Sequence, residues 1–319
     1  MATESRKKIP VIFLMGPTAS GKTQIASELV QQLPVDIISV DSAMVYRGLD
    51  IGTAKPSEDI LNIAPHRLIN ICDPVDIYSA GNFVCDAKRE IEAIQSKGRI
   101  PLLVGGTGLY FRSLEQGFSP LPEANPEIRA RLEQELSEKG LAALYSRLLS
   151  VDPQSESRIH KNDPQRIQRA LEIYEETGKP ASNWYSQGRV NCIESPVIKL
   201  VVAPNNKDQL HNTIEVRFMQ MLDRGLVEEV KGLQKQNKLH VSLPSMRLVG
   251  YRQVWSYLDG ELSYKQMISK GIIATRQLAK RQYTWLRREE NAHWVDSEMT
   301  QISHYLRNYI ESRALYNFT

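Results

Sequence analysis

The chain has few cysteines, no long apolar run and little net charge, and each absence excludes a class of protein. Its three cysteines (Cys72, Cys85 and Cys192) lie far apart without a C-x-x-C pair, so neither a disulfide framework nor a zinc finger is expected. No stretch approaches the roughly 18 uninterrupted apolar residues that a membrane span needs. Only nine residues precede Pro10, too few for a signal or transit peptide. These features predict a protein of the reducing cytoplasm with no membrane partner.

The net charge of +3 is too small to indicate a nucleic-acid partner, but the basic residues are unevenly distributed. Between Met246 and Arg288 there are nine lysines and arginines against two acids, Asp259 and Glu261. One strongly basic segment in an almost neutral chain predicts a localised anionic partner.

The first third alternates short apolar runs with helical segments. VIFLM, VDIISV, HRLINI and IPLLV are typical of strands, whereas Lys22–Leu33 and about Ser79–Lys97 are typical of helices. Such alternation predicts a parallel sheet with helices on both faces.

From about Gly117 the strand-like runs disappear for some eighty residues. The Pro-rich turn SPLPEANP is followed by a helix start at Asn125 and Pro126, with a stop signal at Gly140. Asp163 and Pro164 repeat the start signal before a helix that closes at Gly178.

VIKLVVAP, beginning at Val197, resembles a sheet strand again, and the chain beyond Asn206 is predicted to be nearly all helical. We therefore predict a catalytic core formed by residues 1–116 and 197–319, with a helical C-terminal part. Residues 117–196 form an all-helical insertion.

The segment GPTASGKT has the spacing of a loop that wraps phosphates. Gly16 and Gly21 permit a tight backbone path that turns successive N–H groups toward phosphate oxygens at a helix N-terminus. Lys22 adds a positive charge, and the Thr23 hydroxyl can bind Mg²⁺. The predicted phosphate ligands are Gly16, Pro17, Thr18, Ala19, Ser20, Gly21, Lys22 and Thr23. The fold class is thus α/β, a P-loop-type parallel sheet flanked by helices, with an all-helical insertion domain.

Two further segments are predicted to lie at the same sheet edge. Asp41 follows a buried-type strand, and the residue pattern leaves three roles open: a metal ligand, a cap of the next turn, or a general base. GGTGLY forms a second glycine-rich turn, in which Thr107 could donate its hydroxyl to phosphate. Arg217, beside the apolar stripe of an amphipathic helix, is by pattern alone an exposed surface arginine.

KRQYTWLRR interleaves cations with aromatic residues. Arg276, Lys280, Tyr283 and Arg287 recur at spacings of four, three and four, so they share one helical face. Such a face suits phosphate pairing and base stacking, and the alternative is a solvated surface helix with core aromatics.

Six segments in this order resemble the bacterial tRNA isopentenyltransferase (tRNA dimethylallyltransferase) family. They are GPTASGKT, DSAMVYRGLDIGTAKP, GGTGLYFRSL, NDPQRIQRALE, LPSMRLVGYRQVWSYLDGE and ATRQLAKRQYTWLR. The resemblance covers about Pro10 to Val295. It implies transfer of a dimethylallyl group from dimethylallyl diphosphate to the exocyclic amine of the adenine immediately 3′ of the anticodon. The implied substrates are tRNAs reading codons that begin with U. The loop would then hold a diphosphate leaving group rather than a nucleotide.

The resemblance also implies roles for individual residues. Asp41 becomes the general base, and Thr107 and Arg217 become catalytic diphosphate ligands. The insertion corresponds to the domain that grips the anticodon stem. The implied tRNA-binding residues are Asp41, Ser42, Ala43, Met44, Gln165, Arg166, Ile167, Gln168, Arg169, Arg247, Leu248, Val249, Gly250, Tyr251, Arg252, Lys280, Arg281, Gln282, Tyr283, Thr284, Trp285, Leu286 and Arg287.

Two features depart from the wider family. Met44 stands where many relatives have Gln, and the C-terminal zinc finger of eukaryotic relatives is missing. A monomer with Mg²⁺ as cofactor is expected. The competing functions are an adenine-nucleotide isopentenyltransferase, a P-loop small-molecule kinase and a non-catalytic RNA-binding protein.

Overall fold

The computed structural model describes residues 8–117, 119, 121–122, 124–186 and 192–318, the last four without their side chains. Pro120 and Glu123 of the predicted Pro-rich turn, and residues 187–191 of the predicted insertion, lie outside the described residues. No helix within the described ranges is long and apolar enough to cross a bilayer.

One parallel sheet organises the core and confirms the predicted fold class. The six strands have the order β3-β2-β4-β1-β5-β6, and every neighbouring pair is parallel. They are β1 (Val11–Met15), β2 (Val35–Val40), β3 (His66–Arg67), β4 (Ile100–Gly105), β5 (Val197–Ala203) and β6 (His293–Asp296).

Most of the helices pack around this sheet or form a helical cluster next to it. In the first part of the core they are α1 (Lys22–Gln32), α2 (Glu58–Ile63), α3 (Ala80–Gln95) and α4 (Gly108–Gln116). The later ones are α8 (Lys207–Asp223), α9 (Leu226–Gln234), α10 (Tyr251–Leu258), α11 (Tyr264–Leu286) and α12 (Ile302–Phe318). One apolar core lies between the sheet and α1 and α12, and a second joins α8–α11 to the segment after β2.

The strand register brings the functional turns to one edge of the sheet. Met15 at the end of β1 pairs with Gly105 at the end of β4, and Val40 at the end of β2 pairs with the same glycine. The segments after β1, β4 and β2 therefore begin side by side, which is where parallel sheets bind ligands.

Residues 115–192 form a second compact unit, separate from the unit of residues 1–114 and 193–319. Its helices are α5 (Pro126–Val151), α6 (Pro164–Thr177) and α7 (Ala181–Ser186), with a 3₁₀ turn at Pro153–Ser157. The side chain of Asn125 caps α5, and that of Asp163 caps α6. The predicted stop at Gly140 is confirmed, because this residue leaves helical geometry (φ 77°, ψ 167°) and separates the helix that begins at Pro126 from a second helical segment that ends at Val151.

The predicted strand HRLINI is present but shorter than expected, and one short strand of the core was not predicted. Of the predicted strand HRLINI only His66 and Arg67 pair with β2, because Leu68 takes a left-handed backbone conformation (φ 62°) and ends the strand. The region after Asn206 contains a strand, β6, whose His293–Asp296 extend the sheet beside β5. Its single buried side chain, Val295, gives too weak a pattern to predict a strand.

Candidate active site

A cavity of about 1260 Å³ opens where the segments after β1, β2 and β4 meet α8 and α11. Six cationic side chains line it against only two acidic ones. The cations are Lys22, Lys55, Arg217, Arg224, Arg247 and Arg281, and the acids are Glu28 and Asp41. Such an excess of positive charge in a concave site favours a polyanionic ligand.

The predicted phosphate loop forms one wall of this cavity. Ala19 (φ 65°) and Gly21 (φ 77°) both adopt the left-handed backbone conformation, which curls the chain before α1 begins at Lys22. At Gly16 a Cβ atom would lie 2.1 Å from the carbonyl oxygen of Val202, so only glycine fits there. Thr23 occupies the first turn of α1 and lines the cavity. This arrangement is that of an anion site at a helix N-terminus.

Lys22 and Arg217 hold positive charge close together in this site. The pKa of Lys22 is lowered to about 7, mainly by burial and also by the charge of Arg217, while Asp41 opposes both effects. Burial also lowers the pKa of Arg217, again opposed by Asp41. The Lys22 ammonium donates to the carbonyl oxygen of Pro17 at 2.5 Å. Two partly desolvated cations that share the influence of one carboxylate are stabilised when an anion binds.

Asp41 and Thr107 connect two of the turns. Asp41 Oδ1 accepts the N–H groups of Ala43 (2.8 Å) and Met44 (3.3 Å), while Oδ2 accepts no hydrogen bond from any described residue. Thr107 Oγ1 accepts the N–H of Ser42 at 3.1 Å. The cap and the base that the sequence left as alternatives for Asp41 are therefore compatible, since the two roles use different oxygens.

Buried hydrogen bonds fix the segment that follows Asp41. Lys55, whose side chain is 4% exposed, donates to the carbonyl of Tyr46, to Asp50 Oδ1 (2.8 Å) and to Asn70 Oδ1 (2.6 Å). From α9, the carboxylate of Glu229 accepts backbone N–H groups from residues 50, 51 and 52 and the hydroxyl of Tyr251. The loop that carries Asp41 is thus rigidly connected to the helical cluster.

The basic helix α11 contributes both to the cavity and to the surface. Arg281, Gln282 and Trp285 line the cavity, whereas Lys280, Thr284 and Arg287 are exposed. Leu286 is fully buried.

The predicted common face of α11 is partly committed to the protein. Arg276 pairs with Glu215 on α8 at 3.0 Å. Tyr283 donates its hydroxyl to the carbonyl of Pro204 at 3.0 Å, and the Arg287 guanidinium lies 5.7 Å from its ring centroid. That Tyr283 stacks on an RNA base stays a prediction, and the tyrosine already contacts Pro204 and Arg287 of the protein.

The remaining predicted tRNA residues divide by burial. Ser42, Ala43 and Met44 line the cavity, as do Arg247, Leu248, Val249 and Gly250, whereas Arg252 is exposed and Tyr251 is buried. On α6 of the second unit, Gln165 and Arg166 are exposed, Gln168 is partly exposed and Ile167 is buried. Arg169 forms an ion pair with the buried Glu172 at 3.0 Å.

No group of three or more His, Cys, Asp or Glu side chains that could hold a metal occurs among the described residues. The hydroxyl of Thr23 is nevertheless suited to Mg²⁺, which usually keeps several waters and binds proteins through one or two ligands together with substrate phosphates. The donor set therefore fits an ion that arrives with a diphosphate.

The residue pattern did not indicate Arg224 or Glu229, and the family resemblance placed Gln282 among the tRNA-binding residues. Arg224 lines the cavity and lowers the pKa of Arg217. It directly follows the end of α8 and lies seven residues after Arg217, and this spacing was the available signal. Nothing local marks Glu229 or Gln282, because their partners are distant in sequence.

Comparison with known proteins agrees with the geometry. Residues 44–289 match the IPP transferase family model. A tRNA dimethylallyltransferase from Coxiella burnetii is 54% identical over 301 residues, which are 93% of this chain and 97% of the relative. The solved tRNA isopentenylpyrophosphate transferase from Bacillus halodurans is 32% identical with a TM-score of 0.72, over 97% of this chain and 98% of that one. A eukaryotic dimethylallyltransferase solved acting on tRNA is 26% identical with a TM-score of 0.79, over 96% and 77% of the two chains. The chain belongs to the IPP transferase family.

Proposed function

We propose that this protein transfers the dimethylallyl group of dimethylallyl diphosphate to the N6 amine of the adenine immediately 3′ of the anticodon. Its substrates are tRNAs that read codons beginning with U, and diphosphate is released. The observation that carries the proposal is the grouping of Lys22, Arg217 and Asp41 in one cavity. This grouping combines an anion site with a carboxylate that can accept a proton.

The phosphate loop and its neighbours bind the donor. Backbone N–H groups at the start of α1 and the charges of Lys22 and Arg217 surround the diphosphate. The Thr107 hydroxyl accepts the Ser42 N–H and donates to Ser42 Oγ only at 3.5 Å, so its proton can turn to the diphosphate. Thr23 would hold a Mg²⁺ ion, which when bound offsets negative charge on the diphosphate. These residues stabilise the charge that develops as the allylic C–O bond breaks.

Asp41 acts on the other substrate. The adenine amine is a weak nucleophile because its lone pair is delocalised into the ring. As its nitrogen forms the bond to the allylic carbon, the electron pair of the C–O bond leaves with diphosphate and the amine proton passes to Asp41. The hydrogen bonds from Ala43 and Met44 hold this carboxylate in place. The adenine must leave its stack to enter the cavity.

The RNA is held by exposed basic side chains of the core, of which Arg247 also lines the cavity. Arg247, Arg252, Lys280 and Arg287 are exposed and can pair with phosphates. Residues 117–196 are assigned to the anticodon stem, through the exposed Gln165 and Arg166 on α6. The protein would work as a cytoplasmic monomer.

A label-transfer assay tests the proposal and its competitors. Labelled dimethylallyl diphosphate or ATP is offered to the protein with either tRNA or AMP. Label should pass only from the prenyl donor and only to tRNA. Transfer to AMP would indicate an adenine-nucleotide isopentenyltransferase, transfer from ATP a kinase, and RNA binding without transfer a non-catalytic protein.

A further inference from the structure

Two glycine-rich turns of the cavity are joined by one side chain from α11. Gln282 is 9% exposed. Its Oε1 accepts the N–H of Thr18 in the phosphate loop at 2.7 Å, and its Nε2 donates to the carbonyl of Gly106 at 3.1 Å. The partners fix which end of the amide is which, since a backbone N–H only donates and a carbonyl only accepts.

The second turn is shaped to receive this helix. A Cβ atom at Gly106 would lie 2.3 Å from Gln282 Nε2, and one at Gly108 would lie 2.4 Å from the ring of Trp285. Neither glycine has a left-handed backbone, so space rather than backbone conformation requires them. The glycines of GGTGLY therefore accommodate α11 side chains at the edge of the donor site.

The two hydrogen bonds of Gln282 limit how the phosphate loop can move. Thr18 adjoins Pro17, whose carbonyl accepts the Lys22 ammonium, so a shift of this segment would also displace that charge. Gly106 adjoins Thr107, which contacts Ser42 beside Asp41. The buried side-chain amide of Gln282 thus connects the phosphate loop, which is proposed to bind the prenyl donor, with the turn that carries Thr107.

We propose that Gln282 is a positioning residue for the diphosphate site and does not itself contact tRNA. The inference rests on the proposed function in taking the bound anion to be a diphosphate. Gln282 fixes the separation of the two turns, so that the N–H groups, Lys22 and Thr107 converge on one anion. The neighbouring exposed side chains of α11 remain available for RNA.

The test uses two substitutions at this position and one matched control. Gln282→Met removes both hydrogen bonds at similar volume, whereas Gln282→Glu keeps an acceptor for the Thr18 N–H but cannot donate to the Gly106 carbonyl. Gln277→Met makes the same chemical change at an exposed position of the same helix. The measurements are diphosphate affinity, anticodon stem-loop affinity, the KM for the prenyl donor, and amide hydrogen exchange of the peptide spanning Gly16–Thr23.

Gln282→Met should weaken diphosphate binding about tenfold and raise the donor KM similarly, since two buried backbone groups lose their partners. Stem-loop affinity should change by less than about twofold. Exchange in the phosphate-loop peptide should accelerate in Gln282→Met but stay close to wild type in Gln282→Glu. Gln277→Met should match the wild type throughout.

Unchanged diphosphate affinity in Gln282→Met, or a loss confined to RNA binding, would overturn the inference. A wild-type protein that binds no diphosphate would instead overturn the proposed function. The exchange experiment still tests the two hydrogen bonds of Gln282 in that case, because unchanged exchange in Gln282→Met would show that the side chain does not restrain the loop. If Gln282→Met does not fold, the uncharged Gln282→Asn, whose side chain is one methylene too short to reach both turns, must weaken diphosphate binding and accelerate exchange in the loop, and wild-type values in that variant contradict the inference.

Discussion

Diphosphate binding should take up a proton at Lys22. The free site holds this amine with a pKa of about 7, lowered by burial and by Arg217. A bound diphosphate offsets both causes by supplying negative charge beside the amine, so the pKa rises on binding. The free amine is about half protonated at pH 7 and about one-tenth protonated at pH 8. Binding at pH 8 should therefore take up close to one proton at this residue.

The same pKa sets how the affinity depends on pH. Only the protonated form of Lys22 is competent for full binding, so its contribution to apparent affinity should fall roughly tenfold from pH 6 to pH 8. Diphosphate binding should therefore weaken as the pH rises through 7. Diphosphate itself also titrates, and this background must be removed with a variant whose side chain stays charged.

Isothermal titration calorimetry in two buffers of different ionisation enthalpy measures the proton uptake directly. Lys22→Arg is the control, because a guanidinium remains protonated across this range. Wild type minus Lys22→Arg should give an uptake that increases from near zero at pH 6 to about 0.9 protons at pH 8. Equal uptake by the two proteins would refute the assignment of Lys22 as a titrating diphosphate ligand.

Three further predictions address the base, the RNA face and the second glycine turn. Asp41→Asn keeps the backbone cap but removes the proton acceptor, so single-turnover prenyl transfer should slow by roughly 10²–10⁴-fold with tRNA affinity retained; a loss below about threefold would leave Asp41 only its cap. Replacing Lys280 and Arg287 by Gln should make the slope of log tRNA affinity against log salt shallower by roughly one to two units, and an unchanged slope would place these residues away from the RNA. Gly108→Ala should lower the free energy of unfolding in urea by about 1–3 kcal/mol because the Trp285 ring must move. Gly232→Ala, with no neighbour in reach, is its control, and equal effects would contradict the packing argument.

The sequence allowed the sheet and its ligand edge to be predicted because their signals are local. The apolar run 11–15, the glycines after it and the helix from Lys22 are contiguous, so β1, the phosphate loop and α1 could be assigned together. The adjacency of Asp41 and Thr107 followed from a general property of parallel sheets, that their carboxyl ends meet at one edge. The register between β2 and β4 is consistent with that expectation.

What could not be predicted depends on contacts between distant segments. Gln282 is 264 residues from Thr18 and 176 from Gly106 in sequence, and within KRQYTWLRR it is indistinguishable from a surface amide. The contacts of Glu229 could not be predicted for the same reason, since its backbone partners lie about 180 residues earlier in the sequence. The short strand β6 could not be predicted because four residues at a sheet edge show little periodicity.

The most direct test of the account is the position of the transferred group on the RNA. A tRNA transcript that reads a codon beginning with U is incubated with the protein and labelled dimethylallyl diphosphate, then digested and analysed by mass spectrometry. A second transcript differs only in having guanine in place of the adenine 3′ of the anticodon. We predict one dimethylallyl group on that adenine in the first transcript and none in the second. Equal labelling of both transcripts, or no labelling of the first, would contradict the proposed function.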